Sequence, residues 1–359
     1  MSARASRRRQ GARGRILRLL AVALVAAALA PGTWWRERVS WGTAEGSPLL
    51  TAVPLSVPTD QAGPLRVTGL WWLRSTNQHF GGFSALLARP GGRLFAASDR
   101  GRQMDFSSPS DGGGRGPAQF AFFAGRQELD KAGADIESLT ADPASGRIWA
   151  GYEGANAIER YDPGFANRRR AQPAAMRDWP RNSGPEAILH LRDGRFIVLA
   201  EGDPAPLPGE TTPGLLFPAD PVDAEGDESE PLRFRFPRPD GFRPVDMAQL
   251  PDGRVLILLR KFVLGLPPHF ETRIILADPA RITGGGAWSG ETLFELASPL
   301  PRENYEGMAI VPGPGDAVTI WLISDDNTSV FQRTLLMRLA WSPSRGAQEK
   351  ARDSSRAPG

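Results

Sequence analysis

Apolar residues along this chain fall in short runs, broken every few positions by Gly, Pro or Asp, a rhythm that suits short strands and tight turns. Five segments share one plan: a turn, an acidic or hydroxyl residue, an apolar strand, a Gly turn, a second apolar strand, then a charge. The first runs from Gly82-Phe83-Ser84 through Gly91-Gly92 to Ser98-Asp99-Arg100. The second runs from Asp135-Ile136-Glu137 through Ser145-Gly146 to Tyr152-Glu153, and the third from Pro185-Glu186-Ala187 through Asp193-Gly194 to Ala200-Glu201. The fourth spans Val245-Asp246-Met247, Asp252-Gly253 and Leu259-Arg260; the fifth spans Tyr305-Glu306-Gly307 and Thr319–Leu322, ending at Asp325-Asp326-Asn327. Asp-Gly and Ser-Gly mark hairpin turns, because Gly tolerates positive φ. Segments 119–123, 158–161 and 273–277 read as outer strands of the same units.

The units recur roughly every 50–60 residues, a period that fits stacked four-stranded blades. The expected fold is all-β, a β-propeller with six blades preferred and five the alternative, preceded by an N-terminal signal or anchor helix. The sixth blade is assembled from strands near both termini, within residues 49–73 and 334–341. Residues 107–117 and 204–231 read as mobile loops, the second Pro-rich and acidic. The expected division is residues 1–30 as signal or anchor, 31–64 as linker and first strands, 65–341 as propeller and 342–359 as a disordered tail.

The first segment changes the picture of where the protein works. Seven Arg before residue 19 precede an unbroken apolar run from Leu19 to Ala30, the pattern of an export signal. A cleaved signal is expected; the alternative is an inner-membrane anchor over residues 16–35, with Trp34 and Trp35 at the interface. Either way the domain is exported, periplasmic or secreted, and touches membrane only through this segment. Removing those seven from the 43 basic residues leaves 36 against 40 acidic ones, a net charge of −4, so no nucleic-acid partner is expected. Cysteine is absent, which excludes disulfides, thiolate metal sites and a cysteine nucleophile. The three histidines, His79, His190 and His269, lack metal-ligand spacing, although His79 lies close enough to the first strand to reach a channel mouth.

Hairpin geometry places the start of each first strand beside the end of the second. Two adjacent rings at one mouth are therefore expected. The inner ring holds Ser84, Glu137, Glu186, Asp246 and Glu306; the outer holds Asp99, Glu153, Glu201, Arg260 and Asp325, with Arg100, Asp326 and Asn327 alongside. Converging carboxylates raise one another's pKa, pair with Arg or hold a cation, and an oxygen-only donor set favours Ca²⁺ or Mg²⁺. The candidate ligands for Ca²⁺ are Glu137, Glu186, Glu306 and Asp325; the candidate catalytic residues are Glu137, Glu186, Arg100 and Arg260. Each acid taken singly is as well suited to accepting backbone N–H bonds at a strand start. Ser84 lacks the glycines of a nucleophile elbow.

In order and spacing, Phe80-Gly81-Gly82-Phe83-Ser84, Ser98-Asp99-Arg100-Gly101, Asp135–Leu139, Asn304-Tyr305-Glu306-Gly307, Ile323–Asn327 and Gln332–Leu336 resemble the phytase-like family, described as esterase-like activity of phytase. Asp246 and Arg260 depart from it where other repeats carry Glu, and Ser138 stands where Gly or Ala is usual. The resemblance implies a propeller in secreted or envelope proteins. With the carboxylate rings it points to a metal-dependent hydrolase of phosphate or carboxylic esters taking a small anionic or ester substrate. A calcium-propeller lactonase using Asn327, and a non-catalytic envelope binding module with a structural cation, are the alternatives.

Overall fold

The computed structural model describes residues 48–343, except 60, 62, 127–130, 181–182, 203–209 and 224–229. The expected signal or anchor, and the tail beyond 343, lie outside these residues. Among the described residues no helix is long and apolar enough to cross a membrane.

Among the described residues twenty-one strands run in chain order. β1 (Leu49–Pro54) and β2 (Arg66–Arg74) come first. Blade one is β3 (Phe83–Arg89), β4 (Arg93–Ser98), β5 (Arg102–Ser107) and β6 (Gly114–Phe122); blade two is β7 (Ile136–Ala141), β8 (Ile148–Tyr152), β9 (Ala157–Asp162) and β10 (Ala166–Ala171). Blade three is β11 (Pro185–His190), β12 (Phe196–Ala200), β13 (Thr211–Phe217) and β14 (Leu232–Pro237). Blade four is β15 (Arg243–Gln249), β16 (Val255–Val263), β17 (His269–Ala277) and β18 (Glu291–Glu295). Blade five is β19 (Asn304–Pro312), β20 (Val318–Asp325), β21 (Leu335–Trp341) and, from the other end of the chain, β2. All pair antiparallel with their neighbours.

The ring therefore closes with five blades, not six. Strands from both termini do come together, Trp71 opposite Leu336 and Leu70 opposite Met337, but they complete the fifth blade. No separate sixth is left over, because β1 is spent as a tie, pairing with β2 on one side and β6 on the other. Packing gives the same number. The buried apolar side chains form five clusters, one in each gap between neighbouring blades. The gap between blades five and one holds Trp71 against Trp321, ring centroids 5.7 Å apart.

The hairpins between first and second strands form as their turn residues dictate. Gly194 and Gly253 take φ of +89° and +93°, and the preceding Asp193 and Asp252 carboxylates accept the N–H of Arg195 and Arg254. The acidic stretch 204–231 is not all loop: its Leu215, Leu216 and Phe217 are buried in β13, a strand covered on both faces, with Leu215 and Phe217 in the core between blades two and three and Leu216 in the core between blades three and four. β6 likewise begins at Gly114, inside the stretch read as a loop.

The first strands β3, β7, β11, β15 and β19 line the channel, each against the next. They run away from one mouth, and the second strands return to it. Every first strand carries a β-bulge at the same level, where one residue has no partner on the second strand. The bulged residues are Ser84, Glu137, Glu186, Val245 and Glu306.

Candidate functional site

Bulges re-aim side chains, and here they turn three glutamates toward the channel mouth. Blade four breaks the pattern. Its bulged residue is Val245, buried in the core between blades four and five, so Asp246 sits one position further along the strand than expected. The Asp246 carboxylate accepts Met247 N–H (2.7 Å) and Met308 N–H (2.6 Å) on the next blade. It ties β15 to β19 rather than joining the ring, and burial pushes its pKa well up.

Other ring members also stitch blades together. Ser84 Oγ donates to Ile136 O on blade two at 2.6 Å. Ser138 Oγ donates to Pro185 O on blade three at 2.6 Å. Asp326 accepts Gly82 N–H (3.0 Å), Thr328 N–H (2.9 Å) and the Thr334 hydroxyl (2.8 Å), closing blade five onto blade one. Asp99 approaches the same corner. Gly82, at φ +70°, has no Cβ, and one there would lie 2.8 Å from Asp99 Oδ1.

Asp99, Glu153, Glu201, Arg260 and Asp325 each stand where the second strand returns to the mouth. Two overlapping groups of carboxylate oxygens, all within 4.8 Å of one another inside each group, meet at Glu153: one is Asp135, Glu137 and Glu153, the other Glu153, Glu186 and Glu201. Asp135, the residue before β7, was not among the expected ligands; its only signal is the acid-apolar-acid pattern Asp135-Ile136-Glu137, which puts two carboxylates on one side of an extended strand.

The remaining expected ligands lie elsewhere on the rim. Glu306 Oε1 is 2.6 Å from Arg260 Nη1 and accepts from Asn304 Nδ2 at 2.8 Å. The same Arg260 reaches Glu201 at 3.2 Å and Asn304 Oδ1 at 2.8 Å, and Glu201 also pairs with Arg243 at 2.9 Å. Asp325 is buried and accepts Asn327 N–H at 2.7 Å, while Asn327 itself is exposed in a turn with φ +47°. Arg100 bonds the Thr328 hydroxyl at 2.6 Å and lies 3.9 Å from Asp99. His79 is outside the site, edge-on to Phe122 of the outermost strand of blade one.

Electrostatically the mouth is over-filled with acid. Burial pushes the Glu137 carboxyl well up, reinforced by repulsion from Glu186, Glu306, Asp99 and Glu153. Glu186 is raised by burial and by Glu201 and Glu153, with Arg260 opposing. Asp325 is raised by burial, Glu306 and Asp99. Glu306 is raised by burial although Arg260 pulls the other way. Oxygen donors alone, clustered and reluctant to ionise, fit a hard dication such as Ca²⁺ or Mg²⁺ and give a softer metal neither nitrogen nor sulfur.

No curated protein matches the chain significantly. Among solved structures it is similar to a GH43 β-1,3-galactosidase, with 11% identity over 72% of this chain and 56% of that one and a TM-score of 0.47. The chain thus spans little more than half the length of that relative. It is also similar to a glucose dehydrogenase (13% identity, 76% and 98% covered, TM-score 0.40) and to luciferin-regenerating enzyme (11% identity, 82% and 97% covered, TM-score 0.40). A family model described as esterase-like activity of phytase matches residues 78–328, which takes in the mouth residues of all five blades, and the chain belongs to this phytase-like family.

Proposed function

We propose that this protein is an exported, cation-dependent hydrolase of small phosphate or carboxylic esters, working at the acidic mouth of its propeller. One observation carries the reading: two carboxylate groups share Glu153 within 4.8 Å. Packing that many acids at one opening is unfavourable unless a cation or protons offset the repulsion. Two carboxylates about 4 Å apart repel by roughly 4 kcal/mol at an effective dielectric near 20.

The Asp135–Glu137–Glu153 group is our choice to hold the cation, proposed as Ca²⁺. Arg260 and Arg243 already neutralise Glu201 in the second group. A bound dication would supply charge compensation and polarise an ester or phosphoryl oxygen. Glu186, whose pKa is raised by burial and by Glu201, is the residue to protonate a leaving alkoxide. Arg100 orients the anionic end of the substrate. Arg260 bridges blades three and five across the mouth and balances Glu201 and Glu306. In the second reading the mouth belongs to a binding module with a structural cation; the saturation of Arg260 by three partners favours it.

Aryl phosphates, aryl esters and lactones, assayed with and without EDTA, separate the two. Hydrolysis lost with EDTA, restored by calcium and reduced at least tenfold in Glu186→Gln supports the enzyme. Calcium raising the melting temperature without turnover of any substrate leaves the binding module. If calcium neither stabilises the parent more than Glu153→Gln nor supports turnover, both cation readings fall. Saturation at a hundredfold excess over Kd stabilises by about 2.7 kcal/mol, well within reach of a melting curve.

A further inference from the structure

Six large apolar side chains stand exposed among the described residues, and five of them are on the mouth face: Phe262, Leu264 and Leu266 on the β16–β17 hairpin, Val330 and Phe331 in the β20–β21 loop. Exposure runs from 56% at Phe262 to 103% at Leu266, so these are projecting tips and not the walls of a ligand pocket. The hairpin is built to project. In blades one to three the second strand ends one residue before the ring; β16 continues past Arg260 through the pairs Lys261↔Glu271, Phe262↔Phe270 and Val263↔His269. Three further pairs at about 3.3 Å each carry the tip about 10 Å beyond the mouth.

The two tips form one surface. Phe270 N–H donates to Arg302 O at 3.2 Å, and Arg302 Nη1 lies 3.0 Å from His269 Nε2. The next residue, Glu303, pairs with Arg333 at 2.9 Å, at the base of the loop carrying Val330 and Phe331. Beside the apolar tips Arg302 is exposed, while Lys261 pairs with Glu271 at 3.5 Å, so the rim near the tips carries one exposed cation and one neutralised pair.

Where the chain joins the ring gives the surface its occupant. β1 runs antiparallel to β2, and its first residue is at the mouth end: Ser75 Oγ, just past β2, donates to Leu49 O at 2.8 Å. Whatever residues 16–35 are attached to is therefore tethered to this face, through residues 36–47, a length of about 40 Å at most when fully extended. Residues 16–35 form the segment that, where it is retained and not cleaved, reads as an inner-membrane anchor.

We propose that the mouth face lies on a phospholipid bilayer, with the tips at Phe262–Leu266 and Val330–Phe331 seated in its headgroup–acyl boundary, so that membrane contact extends beyond residues 16–35. A depth of about 5–10 Å is expected for such apolar insertions.

The absence of cysteine makes the test direct. Single variants Leu264→Cys, Val330→Cys and, on the opposite face, the exposed hairpin residue Ala144→Cys are labelled with an environment-sensitive fluorophore. Each full-length protein is then reconstituted into phosphatidylcholine–phosphatidylglycerol vesicles. The first two probes should shift to the blue and be quenched several-fold by lipids spin-labelled high in the acyl chain, while the probe at 144 stays water-exposed and unquenched. Probes at 264 and 330 as exposed as the one at 144 overturn the proposal. A blue shift that occurs without vesicles, grows with protein concentration and is not quenched by spin-labelled lipid also overturns it, since it assigns the tips to a second copy. The labelled sites are exposed, so unchanged melting curves exclude misfolding as the cause.

Discussion

At the scale of single residues, what decides the mouth is which acids already have a cation. Glu201 and Glu306 share Arg260, whose side chain is 21% exposed against their 12% and 9%. Replacing Arg260 with Met strands two carboxylates in a poorly solvated place, and breaking such a pair costs of the order of 3 kcal/mol. Urea midpoints should show this loss, and adding Glu306→Gln to Arg260→Met should recover part of it. A variant as stable as the parent would mean that solvent already screens the pair. The outer ring was legible in the sequence because it sits at a fixed distance from a turn that Asp-Gly or Ser-Gly announces. That Arg260 is saturated was not, because its partners come from blades three and five, 59 and 44 residues away in the chain.

At the scale of the element, the bulges matter most. They insert one residue whose presence alternation cannot reveal, which is why Asp246 reads as the fourth member of the inner ring although Val245 occupies that place. A hydrophobic pattern of period two predicts the strand but slips by one wherever a bulge occurs. First strands do not share a backbone ladder with their neighbours around the channel, so side chains hold them in step. Asp246 bridging to Met308 N–H is the clearest instance. Asp246→Ala leaves two buried backbone donors without an acceptor, at about 1–3 kcal/mol each. Thermal denaturation should report it as strongly destabilised, whereas Ser84→Ala, which removes one hydrogen bond, should cost only about 1 kcal/mol. Equal losses in the two variants would refute this division of labour. Edge strand β10 shows another device: Arg168, Arg169 and Arg170 in a row, exposed, deter pairing with another chain.

At the scale of the whole molecule the sequence left the blade count open between six and five, because closure depends on one long-range pairing, residues 66–72 with 335–340, and on β1, which belongs to two blades at once. The acids act collectively at this scale too. Glu137, Glu186 and Asp325 keep protons in the folded state that the unfolded chain releases, because burial and mutual repulsion raise their pKa. The folded state therefore binds more protons, so the associated stability is fully present below the ordinary carboxylate pKa near 4 and is lost as pH rises through the raised values. In EDTA the melting temperature should fall as pH rises above the ordinary carboxylate range, and saturating calcium should flatten that slope. A flat profile in EDTA would show the acids to be ionised and compensated already. The double membership of β1 has a mechanical side. Its strand axis runs away from the mouth face, so tension applied through the preceding residues pulls along the strand, across hydrogen bonds that lie perpendicular to it. The ladders to β2 and β6 are then loaded together in shear instead of opening one bond at a time. Pulled from that end, the propeller should give way at a single high-force event that releases blades one and five at once.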